Sequence, residues 1–365
     1  MDDRERLLIL NMVGCIGSVR LRNLLKHFGS LSRIFQAKEK ELKEVKDIGP
    51  VIAEKITQSL KKIDIKKELR LIKKHGVEII SFLDERYPEN LKNIYDPPIV
   101  LYVKGDILAQ DRASIAIVGS RLASFYGLNT AERLAFELAS RGLTIISGLA
   151  RGIDSSAHKG ALKAKGRTLA VLGSGIANIY PEEHAPLADK ISGSGALISE
   201  FAMTMPPEKK NFPCRNRIIS GLSLGVVVVE AAQKSGALIT SDIAMEQGRD
   251  VFAVPGKVDS VTSKGTNSLI KQGAKLAETA DDIMEELNLQ VTSSPKGDKK
   301  DKKNPTGQLD KDEVLVYNLL SNEPRHIDEL AEASGISVSG ISKVLLNLEM
   351  RKFTRQMPGK NFIKI

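Results

Sequence analysis

Two hydrophobic rhythms divide this chain. Over residues 1–75 apolar residues recur three and four positions apart, as in "LRNLLKHF" and "VIAEKITQSL", the spacing of one buried helix face. The stretch "DERYPENLKNIYDPPIVLYVKG" then reads as an extended, proline-bearing connector. Beyond it, short apolar runs alternate with helix-like segments such as "TAERLAFELASRG" and "SDIAMEQG". The runs predict strands at Ile115–Val118, Thr144–Ile146, Thr168–Leu172, Ala196–Ser199, Val226–Glu230 and Val251–Val254. Strands apolar on both faces and spaced by helices argue for a mostly parallel sheet covered on both sides.

The rhythm fails between Val291 and Gln308, where "VTSSPKGDKKDKKNPTGQ" offers no large apolar residue. Such a tract cannot bury enough surface to fold and reads as a linker, 290–309. The last segment, 310–365, carries three helical patterns and an apparent β-hairpin. The break at Ser334-Gly335 resembles the turn of a helix-turn-helix, and the ending suits a wing. The expected domains are therefore a helical one at 1–75, an α/β one at 80–289 and a small winged one at 310–365.

Charge sharpens this division. The formal net charge is +9. Residues 1–80 hold 18 Lys and Arg against 11 Asp and Glu, whereas residues 81–289 hold 23 against 24. The linker tract adds 5 against 2, and the terminal segment balances at 8 against 8. A polyanion on the α/β body must therefore meet a local patch, not a global field. Cys15 and Cys214 are the two cysteines, too few for a disulfide framework or a multi-cysteine metal site, and they fit a reducing cytoplasm. No secretory signal and no membrane-length apolar run is visible.

The candidate chemistry lies where strands end. "IAIVGSRLASFYG" carries four apolar residues into Gly119-Ser120-Arg121 and then into a helix-like pattern. Glycine permits close backbone approach, a helix start attracts anions, and a guanidinium suits phosphate. Similar loops follow at 147–154 (Ser147, Gly148, Arg151), 173–181 (Gly173, Ser174, Gly175) and 255–267. Each loop alone could be a tight strand-to-helix turn. Together, on one sheet rim, they suggest a phosphate-lined cleft. "FPCRNRIISG" adds Arg215, Asn216 and Arg217. Arginines two apart share a ligand only near a helix start, which Pro213 suits; otherwise one is solvated and the other sits in an ion pair.

Dinucleotide and P-loop readings fit poorly, because Asn178 replaces the third fingerprint glycine and Gly256-Lys257 is followed by Val258. Asp154 reads as a helix N-cap and His158 as packing rather than catalysis. No catalytic set, metal cluster or cofactor site is expected. In the N-terminal part, "VGCIGSVRLRNLL" and "VKDIGPVIAEKI" share a form. It suits either helix-hairpin-helix motifs or glycine turns in a plain helical bundle.

The long blocks "ISGLARGIDSSAHKGAL", "TLAVLGSGIANIYP", "NFPCRNRIISGLS" and "VVVVEAAQKSGALITSDIAMEQGRDVFAVPG", together with the GSR stretch and "SKGTNSLIKQGA", resemble the DNA-processing DprA (Smf) family over about residues 80–287. The resemblance implies an extended Rossmann-like, doubly wound sheet with an N-terminal SAM-like helical domain and a C-terminal winged helix. It further implies a non-enzymatic homodimer that binds single-stranded DNA, protects incoming strands and loads the RecA recombinase in natural transformation. It places Gly119, Ser120 and Arg121 in the phosphate pocket. Some relatives carry a lysine just after the Tyr-Pro of the third block, where this chain has Glu182-Glu183; Lys209 or Lys210 could supply that charge. The competing class is a nucleoside-monophosphate phosphoribohydrolase of the lysine-decarboxylase-like group. That class expects "PGGxGTxxE", where this chain has "VVVVEAAQKSGALIT" with Glu230.

Overall fold

The computed structural model describes residues 1–289, 309–321, 324–351 and 353–364. They form two compact units, considered separately: the N-terminal helices with the large sheet, and the C-terminal helices with a small sheet. The tract 290–309 lies outside the described residues apart from Leu309.

The helical rhythm of the N-terminal part becomes α1 (Asp3–Met12), α2 (Ser18–Phe28), α3 (Leu31–Gln36), α4 (Glu39–Leu42), α5 (Pro50–Lys62) and α6 (Ile65–Lys74). Their buried stripes, including Leu7, Leu10, Leu21, Leu24, Ile34 and Ile56, close into one cluster with Val100 and Tyr102 of the sheet. Fully burying each such side chain contributes roughly 1.5–3 kcal/mol.

The large sheet begins with β1 (Val77–Ser81), α7 (Glu89–Lys92) and β2 (Val100–Gly105). The expected connector is thus only partly a connector: β2 pairs antiparallel with β1 and extends the sheet. Next come β3 (Ser114–Val118), α8 (Phe125–Ser140), β4 (Thr144–Ser147), α9 (Ile153–Lys163), β5 (Thr168–Val171), α10 (Ala185–Ser194) and β6 (Ala196–Ser199). The unit finishes with α11 (Asn211–Leu222), β7 (Gly225–Val228), α12 (Gly236–Glu246), β8 (Asp250–Ala253), α13 (Lys264–Lys271), β9 (Lys275–Leu276) and α14 (Ala280–Glu286).

Strand order is β1-β2-β6-β5-β4-β3-β7-β8-β9, with β6 through β9 parallel and β1 and β2 antiparallel. Alternation along β3 fills both faces. Ile115 and Ile117 join the cluster under α8 and α9, while Ala116 and Val118 join the one under α11 and α12. The chain runs from β3 through β4 and β5 to β6 in one direction, then returns beside β3 as β7. Strand order reverses there, and a crevice opens at the strands' C-terminal ends.

The second unit has α15 (Lys311–Leu319), β10 (Arg325–His326), α16 (Ile327–Ser334), α17 (Val338–Met350), β11 (Thr354–Met357) and β12 (Asn361–Lys364). Val316, Leu330, Ile341, Leu345, Leu348 and Phe362 form its core. Gly335 ends α16 at φ 69°, the left-handed conformation that turns the chain between the two helices. With the sheet β10-β12-β11 the unit is a winged helix.

Candidate functional site

A cleft of about 350 Å3 sits at the reversal point between β3 and β7. One wall is the Gly119–Leu122 loop with Ala150 and Asp154. The other is the start of α11 and the start of α12, from Ser235 to Thr240. A second hollow of about 280 Å3 adjoins it and shares Arg121, Leu122, Ala150 and Phe212. It continues over Gly148 and Arg151 to Tyr180 and Pro181.

Gly119 is fixed by close approach: a Cβ there would lie 2.5 Å from Ile153 Cγ1 and 2.9 Å from the Glu230 carbonyl oxygen. The turn is pinned on both sides, since Ser120 N–H donates to Glu230 O at 2.7 Å and Ile153 N–H donates to Ser120 O at 3.2 Å. Leu122 N–H donates to Ser120 Oγ at 3.1 Å. Amides at 120 and 122 are therefore engaged within the protein, and the exposed charged group the loop presents is Arg121. Its guanidinium stands 5.0 Å from the Phe212 ring centre, a cation–π contact that holds the charge over the cleft. Tyr180 packs against Phe212, ring centres 5.9 Å apart.

The second loop is built around two buried charges that bond backbone groups, Arg215 and Asp154. Arg215, 3% exposed, donates from Nη1 to Gly148 O at 2.7 Å and to Val171 O. A Cβ on Gly148 would sit 2.3 Å from that nitrogen, so glycine is what lets the guanidinium in. Burial pushes the Arg215 pKa down to about 10, opposed by the nearby Asp154 charge and reinforced by Arg121. Asp154, equally buried, has its pKa raised by desolvation, which Arg215 and hydrogen bonding counter.

Asp154 is not the expected N-cap. Gly152 occupies that position, and Asp154 accepts N–H bonds from Gly148 at 3.1 Å and Ala150 at 3.3 Å, tying the loop to its own helix. His158 is fully buried, with Nδ1 2.7 Å from Thr168 Oγ1. Desolvation drives its pKa down to about 3, helped by His184 and Arg215, so the ring is neutral at ordinary pH.

The structure separates the other sequence candidates. Arg151 is exposed and bonds Glu183 at 2.5 Å. Asn216 lines the cleft beside Arg215. Arg217 points elsewhere, pairing with Glu200 and donating to Asp96 O at 2.6 Å. Ser147 is buried and donates to Ile117 O at 2.6 Å. Ser174 donates to Asn178 O at 2.7 Å; Gly173 lies under the Phe212 ring, and Gly175 N–H reaches Met205 O at 2.9 Å. The fourth loop stays out of both hollows, its Gly256 clasped by Asn267. Lys210 pairs with Glu208 at 2.8 Å, and Lys209 is exposed.

Sequence reasoning missed the start of α12. Ser235 caps it through Ala237 N–H, and Gly236 has open space around it. An eleven-residue helix thus directs its positive end into the cleft. The signal was available in "KSGAL", a capping serine before an apolar run. Glu230, the carboxylate that the hydrolase reading looked to, ends buried and accepts from Thr262 Oγ1 at 2.9 Å. Among the described residues no group of His, Cys, Asp and Glu could hold a metal, and no helix is long and apolar enough to cross a membrane.

The two N-terminal hairpins differ. At the first, Ser18 Oγ donates to Asp96 Oδ1 at 2.9 Å, and that carboxylate lies against Gly17 at the start of α2. At the second, Gly49 caps α5 with no atom near its Cβ position.

Known proteins match along the whole chain. The family model described as DNA recombination-mediator protein A covers residues 78–288, the DprA winged helix domain covers 300–360, and a helix-hairpin-helix motif covers 13–68. Protein Smf of Escherichia coli is 42% identical over 81% of this chain and 79% of its own length. DNA processing protein DprA of Bacillus subtilis is 46% identical over 61% of this chain and 77% of its own. The crystal structure of DprA from Streptococcus pneumoniae superposes with a TM-score of 0.67 at 34% identity, covering 78% of this chain and 98% of that one. DNA processing protein A from Helicobacter pylori, whose structure concerns its single-stranded DNA binding mode, aligns at 29% identity and a TM-score of 0.53, covering 58% of this chain and 95% of that one. With the sheet, the winged helix and more than half of the sequence in agreement, the chain belongs to the DprA/Smf family of DNA-processing proteins.

Proposed function

We propose that this protein binds single-stranded DNA by its backbone along the rim from the start of α12, across Arg121, to Arg151 and Tyr180. The carrying observation is Arg121, held out over two joined hollows by a pinned turn and braced on Phe212. Arg121 meets a phosphate directly, while the starts of α11 and α12 add partial positive charge. Gly148, Asn216 and Arg215 form the floor and fix its shape. Phe212 and Tyr180 offer at most a small stacking surface, so recognition leans on phosphates and is weakly sequence-dependent. The Helicobacter pylori relative's single-stranded DNA binding supports the same ligand here.

In this reading the protein acts in the cytoplasm as a binding protein, not an enzyme. It works as a homodimer that shields incoming single strands and passes them to RecA. The domain limits 1–75, 80–289 and 310–365, with the linker at 290–309, belong to the same proposal.

The test is fluorescence anisotropy with single- and double-stranded oligonucleotides across a salt series. Arg121→Ala should weaken binding to every single-stranded sequence and flatten the log–log salt slope by about 0.7, the value for one phosphate on a single strand. Unchanged affinity and slope would remove Arg121 from the interface. Release of free base from nucleoside monophosphates would instead favour the hydrolase class.

A further inference from the structure

Seven basic residues fall within positions 61–74: Lys61, Lys62, Lys66, Lys67, Arg70, Lys73 and Lys74. Five of them lie on α6. At 100° per residue, Lys66, Lys67, Arg70, Lys73 and Lys74 occupy a single arc of about 120°. All five are exposed, and none joins an ion pair among the described residues. Glu68, the one acidic residue within the helix, is turned inward and buried. A charge run on a helix is ordinarily just a solvated face. Two features set this one apart.

First, the ridge is fixed to the sheet rim. The buried Glu68 carboxylate accepts from Tyr102 Oη at 2.9 Å and from Met203 N–H at 2.7 Å. Met203 lies just beyond β6, and its carbonyl receives Ala177 N–H from the third glycine loop. Second, the helix that carries the ridge is anchored at the strands that follow the hollows along the sheet. The hollows run from the β7 and β3 ends past the β4 loop to Tyr180, beyond β5. The next strands along the sheet are β6 and β2, and Glu68 of α6 bonds Tyr102 of β2 and Met203 in the segment after β6. Meanwhile the rim itself is poor in net charge: Arg151 is held by Glu183 and Lys210 by Glu208.

Resting on the proposed single-strand binding, we infer that the α6 ridge is a second contact site for the same DNA strand. It takes the phosphates that leave the cleft past Tyr180. Arg121 and the helix starts hold a short segment, and the ridge supplies most of the counterion release for a longer one.

The experiment compares an oligonucleotide of about 6 nucleotides with one of about 20, both single-stranded. The triple variant Lys66→Gln, Arg70→Gln, Lys73→Gln should leave binding of the short strand unchanged. For the long strand it should flatten the salt slope by about 2, which is three contacts at about 0.7 each. A control variant with Lys159→Gln, Lys165→Gln and Lys271→Gln removes the same charge from exposed lysines elsewhere and should move the long-strand slope far less. Equal effects from the two variants, or no effect on the long strand, overturn the ridge. So does loss confined to duplex DNA or to anionic vesicles. Arg121→Ala separates the two claims: if it weakens short-strand binding while the ridge variant changes nothing, the cleft stands and the ridge falls.

Discussion

Arg121 and Arg151 rise from the loops after β3 and β4, and Arg215 and Arg217 sit two residues apart in α11. Arg121, Arg151 and Arg215 border the two hollows while Arg217 turns away from them, and the two pairs do opposite work. The loop pair is exposed, with Arg121 resting on an aromatic face and Arg151 on a surface carboxylate. The helix pair is turned into the protein. Arg215 gathers the carbonyls of Gly148 and Val171, and Arg217 gathers Glu200 and Asp96 O. The difference teaches that a cleft able to grip a polyanion needs two kinds of cation. One kind stays solvated, so that it can exchange water and counterions for phosphate. The other is already satisfied, so that the loops carrying the first kind keep their shape.

The sharpest way to break this comparison is to exchange the expected losses. Arg215→Ala strands the Gly148 and Val171 carbonyls and leaves Asp154 without its countercharge in a desolvated place. Leaving a buried polar group without its partner costs about 1–3 kcal/mol, and two carbonyls lose theirs here. Urea unfolding should show the loss directly, whereas Arg121→Ala should leave the unfolding midpoint in place. If Arg215→Ala unfolds like the wild type and loses only DNA binding, the division between the two pairs is wrong.

A smaller effect comes from His158, behind the same loop. Its folded pKa is about 3, below the ordinary value of 6.5. Between those values the unfolded chain takes up a proton that the native state refuses. Stability from this group therefore rises with pH through the window and is lost as pH falls below about 6.5. From pH 6.5, where the unfolded imidazole is half protonated, to pH 5 the loss is about 1.5 kcal/mol. His158→Gln should remove most of that dependence in urea titrations at the two pH values. A slope that survives the substitution would place the proton uptake elsewhere.

Much of this architecture was legible in the sequence. The strand at Ala196–Ser199 is found as expected, and the other five expected strands lie within two residues of β3, β4, β5, β7 and β8. Short continuous apolar runs are local signals, and a parallel sheet buried on both faces writes them strongly. The loops at 119–121 and 148–151 were also legible as neighbours, because glycine marks where backbones crowd. What escaped was direction. Nothing in "CRNR" tells which arginine lines the cleft and which turns away, since that depends on Gly148 and Glu200, which lie just past β4 and β6. Strand β2, which lies between β1 and β6, was hidden within a proline-bearing stretch. Asp96, which fills the anion seat of the first hairpin, lies 78 residues from the Ser18 it contacts. Contacts of that kind leave no local pattern.

The finest cut within the comparison falls on Arg151, which is solvated like Arg121 but already partnered. Its guanidinium meets Glu183 from Nε and Nη2, and that hydrogen bond is the chief cause holding the Glu183 carboxyl below its usual range. Both side chains are exposed, so the pair is loose and a phosphate can displace the carboxylate. Glu182 and Glu183 also put negative charge on the proposed path of the strand. Glu183→Gln should therefore strengthen single-strand binding, by no more than about fivefold, the scale of one surface pair. It should also steepen the salt slope by about 0.7, because Arg151 then meets phosphate without first giving up a partner. In the Arg151→Ala background the same substitution should gain less and leave the slope alone. Equal gains in both backgrounds would mean that Glu183 acts only as a repelling charge, and that Arg151 is a spectator beside Arg121.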